Sequence, residues 1–331
     1  MKAGKLSIKL LEKLLKKYAG INDKRTIIGP KIGVDATIIE FGKKYLVAKT
    51  DPITFTTGNI GWYSIVINSN DIACMGAVPK WYLGTLLLPE KKTTEIQVEK
   101  IFKDIRNACD RFNITLCGGH CEVTYGINRP ILVGFMLGET EKDKFISSKG
   151  AKTGDVIILT KGIAIEGISV IAREKETELA KTYGRKEVER WKNFIYNPGI
   201  SILKEALLAK EYANAMHDPT EGGLSTGLYE LASASKKGMI IYYEKIPMLS
   251  ECLMLCKKYN INPLGLIASG SLLITVSRGN AEKLINIYNK HKILYSIIGK
   301  MMPEKHGIKL IKSGKQEKLP EFKRDEITKI F

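Results

Sequence analysis

A chain of 331 residues, 44% hydrophobic and 26% charged, has the ordinary balance of a soluble globular protein and enough length for two domains with full cores. No apolar run approaches a membrane span, and the basic start MKAGKLSIKLLEKLLKKYAG has neither an unbroken apolar core nor a cleavage site, which excludes a signal peptide and points to the cytoplasm. The formal net charge of +17 comes from lysines spread along the whole chain, with no Arg-rich arm and no interleaved aromatic platform, so it reads as a solvated surface that favours small anions and not as a nucleic-acid footprint.

From the N-terminus, Leu11, Leu14, Leu15 and Tyr18 recur at i, i+3, i+4 and i+7. This predicts an amphipathic helix within residues 1–24, packed on the body of the protein or on a partner subunit. Thr37-Ile38-Ile39 and Tyr45-Leu46-Val47-Ala48 flank a Gly42-Lys43-Lys44 turn and predict two strands, the second ending at Thr50-Asp51-Pro52. A helix is expected from near Asn59 to Met75, closing at Gly76, and then a strand over 81–90. Ile96, Val98, Ile101, Ile105 and Ala108 give 93–113 helical periodicity. ITLCGGH (114–120) reads as a strand entering a Gly-Gly turn, and RPILVGFMLGE (129–139) as a further strand. The charged, small-residue segment 141–155 reads as the connection between a domain over 25–145 and another over 150–331. In the second half, strands are expected at 155–162, 238–243 and 270–277, and a helix over 201–215. The six cysteines show no sign of secretion. Cys117/Cys121 and Cys252/Cys256 are each four apart, unlike the usual thiolate metal spacing, so all six read as small buried side chains in a reducing cytosol.

One helix raises a question. In SIVINSNDIACMGAVPKW (64–81), Ser64, Asn68 and Asp71 are spaced i, i+4, i+7 among apolar neighbours. Asn and Asp are mediocre helix formers and are costly to bury without partners. Asp35, Asp51, Asp71 and Asp218 form a set of acids in turn-rich, Gly- or Pro-flanked surroundings. Each alone reads as a turn or cap carboxylate. Together they suit a nucleotide–metal site, because Mg²⁺ takes carboxylate oxygens and leaves its other positions to phosphate and water. In HDPTEGGL (217–224), Gly222 and Gly223 precede a helical pattern, and free N–H groups at a helix start bind anions. A capped turn with Thr220 or Glu221 accounts for the same residues, and His217 reads equally as an acid/base or as a structural histidine. No P-loop, G-x-S-x-G, H-E-x-x-H or kinase signature occurs.

The order of motifs GVDATII, TDPITF, NIGWYSIVINSNDIACMGAVP, CGGHCEVT, GDVIILTKGIAIEGI and HDPTEGGL resembles the AIR synthase (PurM-like) superfamily. The closest resemblance is to the hydrogenase-maturation protein HypE and its archaeal AIR-synthase-related relatives. The resemblance runs from about Gly29 to Val276. It implies an α/β (α+β) two-domain PurM-like fold, with an N-terminal sheet domain forming a dimeric barrel and a C-terminal α/β domain. It implies ATP and Mg²⁺ as cofactors and a homodimer. Asp35, Asp51 and Asp71 match the metal and phosphate acids, with Asp51, Asp71 and His217 in catalytic roles. Lys49, Asn68, Gly118, Gly119, Asp218, Gly222 and Gly223, with Asp35, match the nucleotide site.

Two features depart from that pattern. The family's GGD or GGE is GGH here, with His120, and imidazole is a poor Mg²⁺ ligand. Either Glu122 substitutes, one metal is lost, or the substrate differs. The tail KLPEFKRDEITKIF (318–331) reads as an arm able to reach an active site but lacking the cysteine that carries the carbamoyl group in HypE. The expected function is therefore Mg²⁺–ATP-dependent activation of an amide, carbonyl or phosphate oxygen on a protein-borne or small-molecule substrate. A small-molecule kinase like thiamine-monophosphate kinase and a non-catalytic ATP-binding assembly factor are the alternatives.

Overall fold

The computed structural model describes residues 6, 8–31, 34–54 and 58–330. Residues 1–5 of the basic start, Gly33 of GVDATII and Phe55 of TDPITF lie outside the described residues. Two compact units divide the chain. The N-terminal unit comprises Ile21–Pro30 and Asp35–Phe145; the C-terminal unit comprises Met1–Gly20, Lys31–Val34 and Ile146–Phe331. The predicted N-terminal helix is α1 (Ile8–Tyr18) and belongs to the C-terminal unit.

In the N-terminal unit, β1 (Thr26–Ile28), β2 (Thr37–Phe41), β3 (Lys44–Ile53), α2 (Ile60–Cys74), β4 (Val78–Pro89), α3 (Glu95–Phe112), β5 (Thr115–Thr124) and β6 (Ile131–Glu141) follow in chain order. The six strands form one sheet in the order β1-β2-β3-β6-β4-β5, antiparallel except for β4 with β5. α2 packs on the sheet across β3, β6 and β4, and against α3. Every residue of α2 except Ile67 is buried. A helix enclosed on all sides shows little amphipathic pattern, which is why its polar residues were conspicuous in the sequence.

The Gly-Gly turn predicted after residue 117 is absent. Gly118 and Gly119 continue β5, opposite Leu83 and Gly84 of β4. Their φ values, +149° and +154°, are ones that L side chains rarely adopt, and a Cβ on Gly119 would lie 1.9 Å from the Gly84 carbonyl oxygen. Gly119 marks a close backbone approach inside a strand, and such a glycine looks identical to a turn glycine in sequence.

The C-terminal unit continues with β7 (Val156–Thr160), α4 (Ile165–Glu174), α5 (Glu176–Tyr183), α6 (Arg185–Lys192), α7 (Leu203–Ala209), β8 (Ala213–His217), α8 (Gly223–Ser235), β9 (Lys237–Tyr242), α9 (Ser250–Tyr259), β10 (Leu273–Val276), α10 (Arg278–Lys290), β11 (Tyr295–Pro303), β12 (Ile308–Lys312) and β13 (Lys315–Lys318). Its sheet order is β13-β12-β9-β11-β7-β10-β8, antiparallel except for β12 with β9. Ile157, Leu159, Leu224, Leu228, Leu231, Met239, Ile241 and Leu273 lie in its apolar core. The helix predicted over 201–215 is shorter than expected, because Ala213–His217 pair with β10 instead. Among the described residues no helix is long and apolar enough to cross a membrane.

The tail corrects a further expectation. It is not an extended arm but is docked on the C-terminal unit. Leu319 is fully buried, Tyr229 Oη donates to the Leu319 carbonyl at 2.7 Å, and Ser225 Oγ donates to that of Pro320. Asp325 and Glu326 are both buried. Two cysteines also differ from expectation: Cys117 and Cys121 are exposed, whereas Cys74, Cys109, Cys252 and Cys256 are buried as expected, the last two on α9 with sulfurs 4.0 Å apart.

Candidate functional site

Lys49 and Asp51 are two residues apart on β3, so both project toward α2. Asp71 on α2 meets them. Its carboxylate lies 3.0 Å from Lys49 Nζ, and that of Asp51 lies 3.5 Å from the same nitrogen. Burial alone would lower the lysine's pKa. Asp71, Asp51 and Asp35 outweigh that and hold the ammonium above its ordinary range, so it stays charged.

Around this trio the polar face of α2 is tied down. Asn68 Nδ2 donates to the Ser64 carbonyl at 2.8 Å and to that of Asp51 at 3.4 Å. The Ser64 and Tyr82 hydroxyls share a 2.6 Å hydrogen bond. Gly134 on β6 makes room for the cluster, since a Cβ there would fall 2.4 Å from Asn68 Nδ2 and 2.6 Å from Ser64 Oγ. Asp104 of α3 accepts from the Trp62 N–H at 3.0 Å, placing a carboxylate at the positive end of α2. Asn68 Oδ1 is buried with no hydrogen-bond partner among the described residues.

The structure therefore brings together Lys49, Asp51, Asp71 and Asn68, with Asp35 close enough to act on Lys49 electrostatically. Gly118, Gly119 and His120 lie on β5, with β6 and β4 between that strand and β3. His120 Nε2 is 3.5 Å from Glu122, and both side chains are exposed. Tyr82 was missed in the sequence because a tyrosine in a strand reads as core.

The C-terminal unit carries the remaining predicted residues. His217, at the end of β8, is buried, with Nε2 2.9 Å from Glu230 Oε2 on α8. Asp218 is also buried. Gly222 and Gly223 precede and open α8, at φ +82° and +68°. The Gly222 N–H, expected to meet a ligand anion, already donates to Asp325 Oδ2 at 2.7 Å. Any phosphate at that turn would have to displace the chain's own carboxylate. Lys161 is a buried cation satisfied structurally, donating to the carbonyls of Gly199 and Ser201 and lying 3.4 Å from Glu205; burial lowers its pKa.

Glu166, on α4, was also missed, although a glutamate inside KGIAIEGISVIA was a visible signal. Burial pushes its pKa up to about 7, against the nearby Ser269 hydroxyl, which lowers it, and the nearby Asp325 carboxylate raises it further. A carboxyl whose folded pKa is raised contributes stability that is full below about pH 4.5 and is lost as pH rises through about 7. Glu166→Gln is therefore expected to raise the melting temperature at about pH 8, and to leave it little changed at about pH 5. Thermal denaturation at both values tests this; a less stable variant at the higher pH would mean that Glu166 is a paired carboxylate.

Two mixed α/β units and a Lys–Asp–Asp cluster on a strand and helix, with Asp71 buried and Lys49 half-buried, define the class. Residues 33–140 match the N-terminal domain, and residues 152–311 the C-terminal domain, of the AIR synthase related protein family, to which this chain belongs. It is similar to a hydrogenase expression/formation protein of Methanocaldococcus jannaschii, 28% identical over 91% of this chain and 90% of that one. It is also similar to the thiamine-monophosphate kinase of Aquifex aeolicus, 29% identical over 73% of this chain and 78% of that one. Among solved structures, a HypE–HypF complex matches with TM-score 0.75 at 22% identity, over 95% of this chain and 99% of that one. AaThiL complexed with AMPPCP and TMP matches with TM-score 0.74 at 24% identity, over 95% and 94%. The PurM-like two-domain fold expected from the motifs is the fold of this chain.

Proposed function

We propose that this chain is a Mg²⁺–ATP-dependent enzyme whose N-terminal unit holds the nucleotide's phosphates and metal through Lys49, Asp51, Asp71, Asn68 and Asp35. The observation that carries the reading is the half-buried lysine shared by two carboxylates, beside an amide oxygen with no hydrogen-bond partner among the described residues. The donor set is all oxygen, which suits Mg²⁺. A polyphosphate brings its own negative charge. It would draw Lys49 onto phosphate oxygens and leave Asp51 and Asp71 to the metal, so the desolvation of Asp71 is offset by a cation in either state. When bound, the metal would neutralise charge on the phosphates. Lys49 orients them, and the closed packing of α2 on the sheet keeps the carboxylates in place.

Similar solved structures support ATP use from two directions, because one is AaThiL complexed with AMPPCP and TMP and another is the hydrogenase maturation protein HypE in complex with ATP. HypE-type activation of an amide or carbonyl oxygen is the favoured reaction, given the 90% coverage of the hydrogenase expression/formation relative. Phosphorylation of a small molecule is the second reading. A homodimer is part of the proposal, with the N-terminal sheets of two copies paired along the exposed β5. Calorimetric titration with a non-hydrolysable ATP analogue is expected to show binding that needs Mg²⁺. Absence of binding at millimolar analogue would end the proposal. ADP release with amide-type or phosphorylatable acceptors then separates the two reactions, and binding without any ADP release would indicate an assembly factor.

A further inference from the structure

β5 is a ten-residue strand exposed along both faces up to Thr124. One of its edges pairs with β4, and among the described residues no strand lies on the other. Edge strands of monomers are usually short or guarded by Lys or Pro. TLCGGHCEVT contains neither and exceeds the common length of about 5–6 residues. Its one register irregularity, at Cys117, leaves Gly118–Thr124 regular against β4. Such an edge is a template for another strand, and a second copy closes it without leaving a new edge.

The charges on the strand choose the register. In a two-fold antiparallel pair, residues face one another symmetrically about a centre. A centre on His120 or Glu122 would set like side chains opposite each other, and a centre on Gly119 would set Glu122 against an apolar leucine. Only a centre on Cys121 brings His120 of each copy opposite the partner's Glu122, twice, on one face. On the other face, where exposed Cys121 points, the two Cys121 thiols then lie directly opposite one another. Opposed residues of an antiparallel pair have Cα atoms about 4.5 or 5.5 Å apart, and both spacings lie within the range of about 4.4–6.8 Å that disulfides span.

We propose that Cys121 is a redox site completed by a second copy of this chain, in which a small-molecule disulfide converts two opposed Cys121 thiols into an intersubunit bridge. The proposal rests on the homodimer put forward above. One Cys121 thiolate attacks the small disulfide, breaking its S–S bond, forming a mixed disulfide and releasing one small thiolate. The partner's Cys121 thiolate then attacks the protein sulfur of that mixed disulfide and displaces the second small thiolate. Two protein thiols are oxidised, one small disulfide is reduced to two thiols, and the two protein protons go to the released thiolates.

The test treats the reduced full-length protein with oxidised glutathione and follows it by non-reducing gel and intact mass. A covalent dimer two hydrogens lighter than two chains is expected, reversed by dithiothreitol, absent in Cys121→Ser and retained in Cys117→Ser. Light scattering of untreated Cys121→Ser is expected to show the same dimer as the wild type. A dimer that acquires only glutathione adducts, or that links through Cys117, overturns the register while leaving the dimer standing. A monomer overturns both. Mg²⁺-dependent analogue binding, measured on the same samples, reports separately on the proposed nucleotide site.

Discussion

In an Asp71→Asn variant, binding of a Mg²⁺–ATP analogue is expected to weaken at least tenfold, about 1.4 kcal/mol, with a loss of about 1–3 kcal/mol in stability. The binding loss follows from removing one of the two carboxylates that face Lys49. The stability loss follows because Lys49 would keep only Asp51, at 3.5 Å, and the more distant field of Asp35. It should fall short of the ~3–5 kcal/mol of a fully orphaned buried charge, since Asp51 remains. Adding Lys49→Met to Asp71→Asn is expected to recover most of the stability and none of the binding. Urea denaturation and calorimetry of the two single variants and the double variant give the coupling energy directly. Normal nucleotide binding in a destabilised Asp71→Asn protein would make Asp71 a structural acid and would sink its assignment to the metal.

The second large effect is expected at the other end of the chain. Asp325 is 3% exposed. Its carboxylate accepts from the Gly222 N–H at 2.7 Å, from Ile327 at 2.8 Å and from Ile267 at 3.2 Å. Glu326 beside it accepts from the Asn262 N–H at 2.8 Å. These bonds join the tail, the turn before α8 and the loop before β10. Burial raises the Asp325 pKa to about 6, against the lowering effect of its three N–H donors, so it is ionised at neutral pH. Asp325→Ala would leave buried donors unpaired, at an expected cost of about 2–4 kcal/mol. It should also free the backbone around the already exposed Lys323–Arg324 to enter the active site of trypsin. A lower melting temperature together with faster cleavage there is the expected result; unchanged cleavage would mean that the apolar contacts of Leu319 hold the tail unaided.

The sequence by itself determined the elements whose signals are local. The periodicity of residues 93–113 became α3, the Gly42 turn joined β2 to β3, and the apolar run 155–162 became β7, because 3.6- and 2-residue periods reflect faces that any fold must bury. The polar residues on α2 were legible for the opposite reason, since burying Asn68 and Asp71 demands partners and the cost is visible in one dimension. Tertiary structure alone decided who those partners are. Lys49 and Asp71 are 22 positions apart in sequence and meet only because β3 lies under α2. Gly118–Gly119 became strand by pairing with β4, where Gly84 approaches Gly119 too closely for any Cβ, a contact with no local signature. Residues 213–217 left their helical pattern to pair with β10, where ladder hydrogen bonds outweigh modest helix propensity. The tail looked like a polar arm because Asp325 and Glu326 are ordinary surface residues in composition. They are buried because the backbone N–H groups of Gly222, Ile267 and Asn262 must be satisfied, and that requirement exists only once the C-terminal unit has folded.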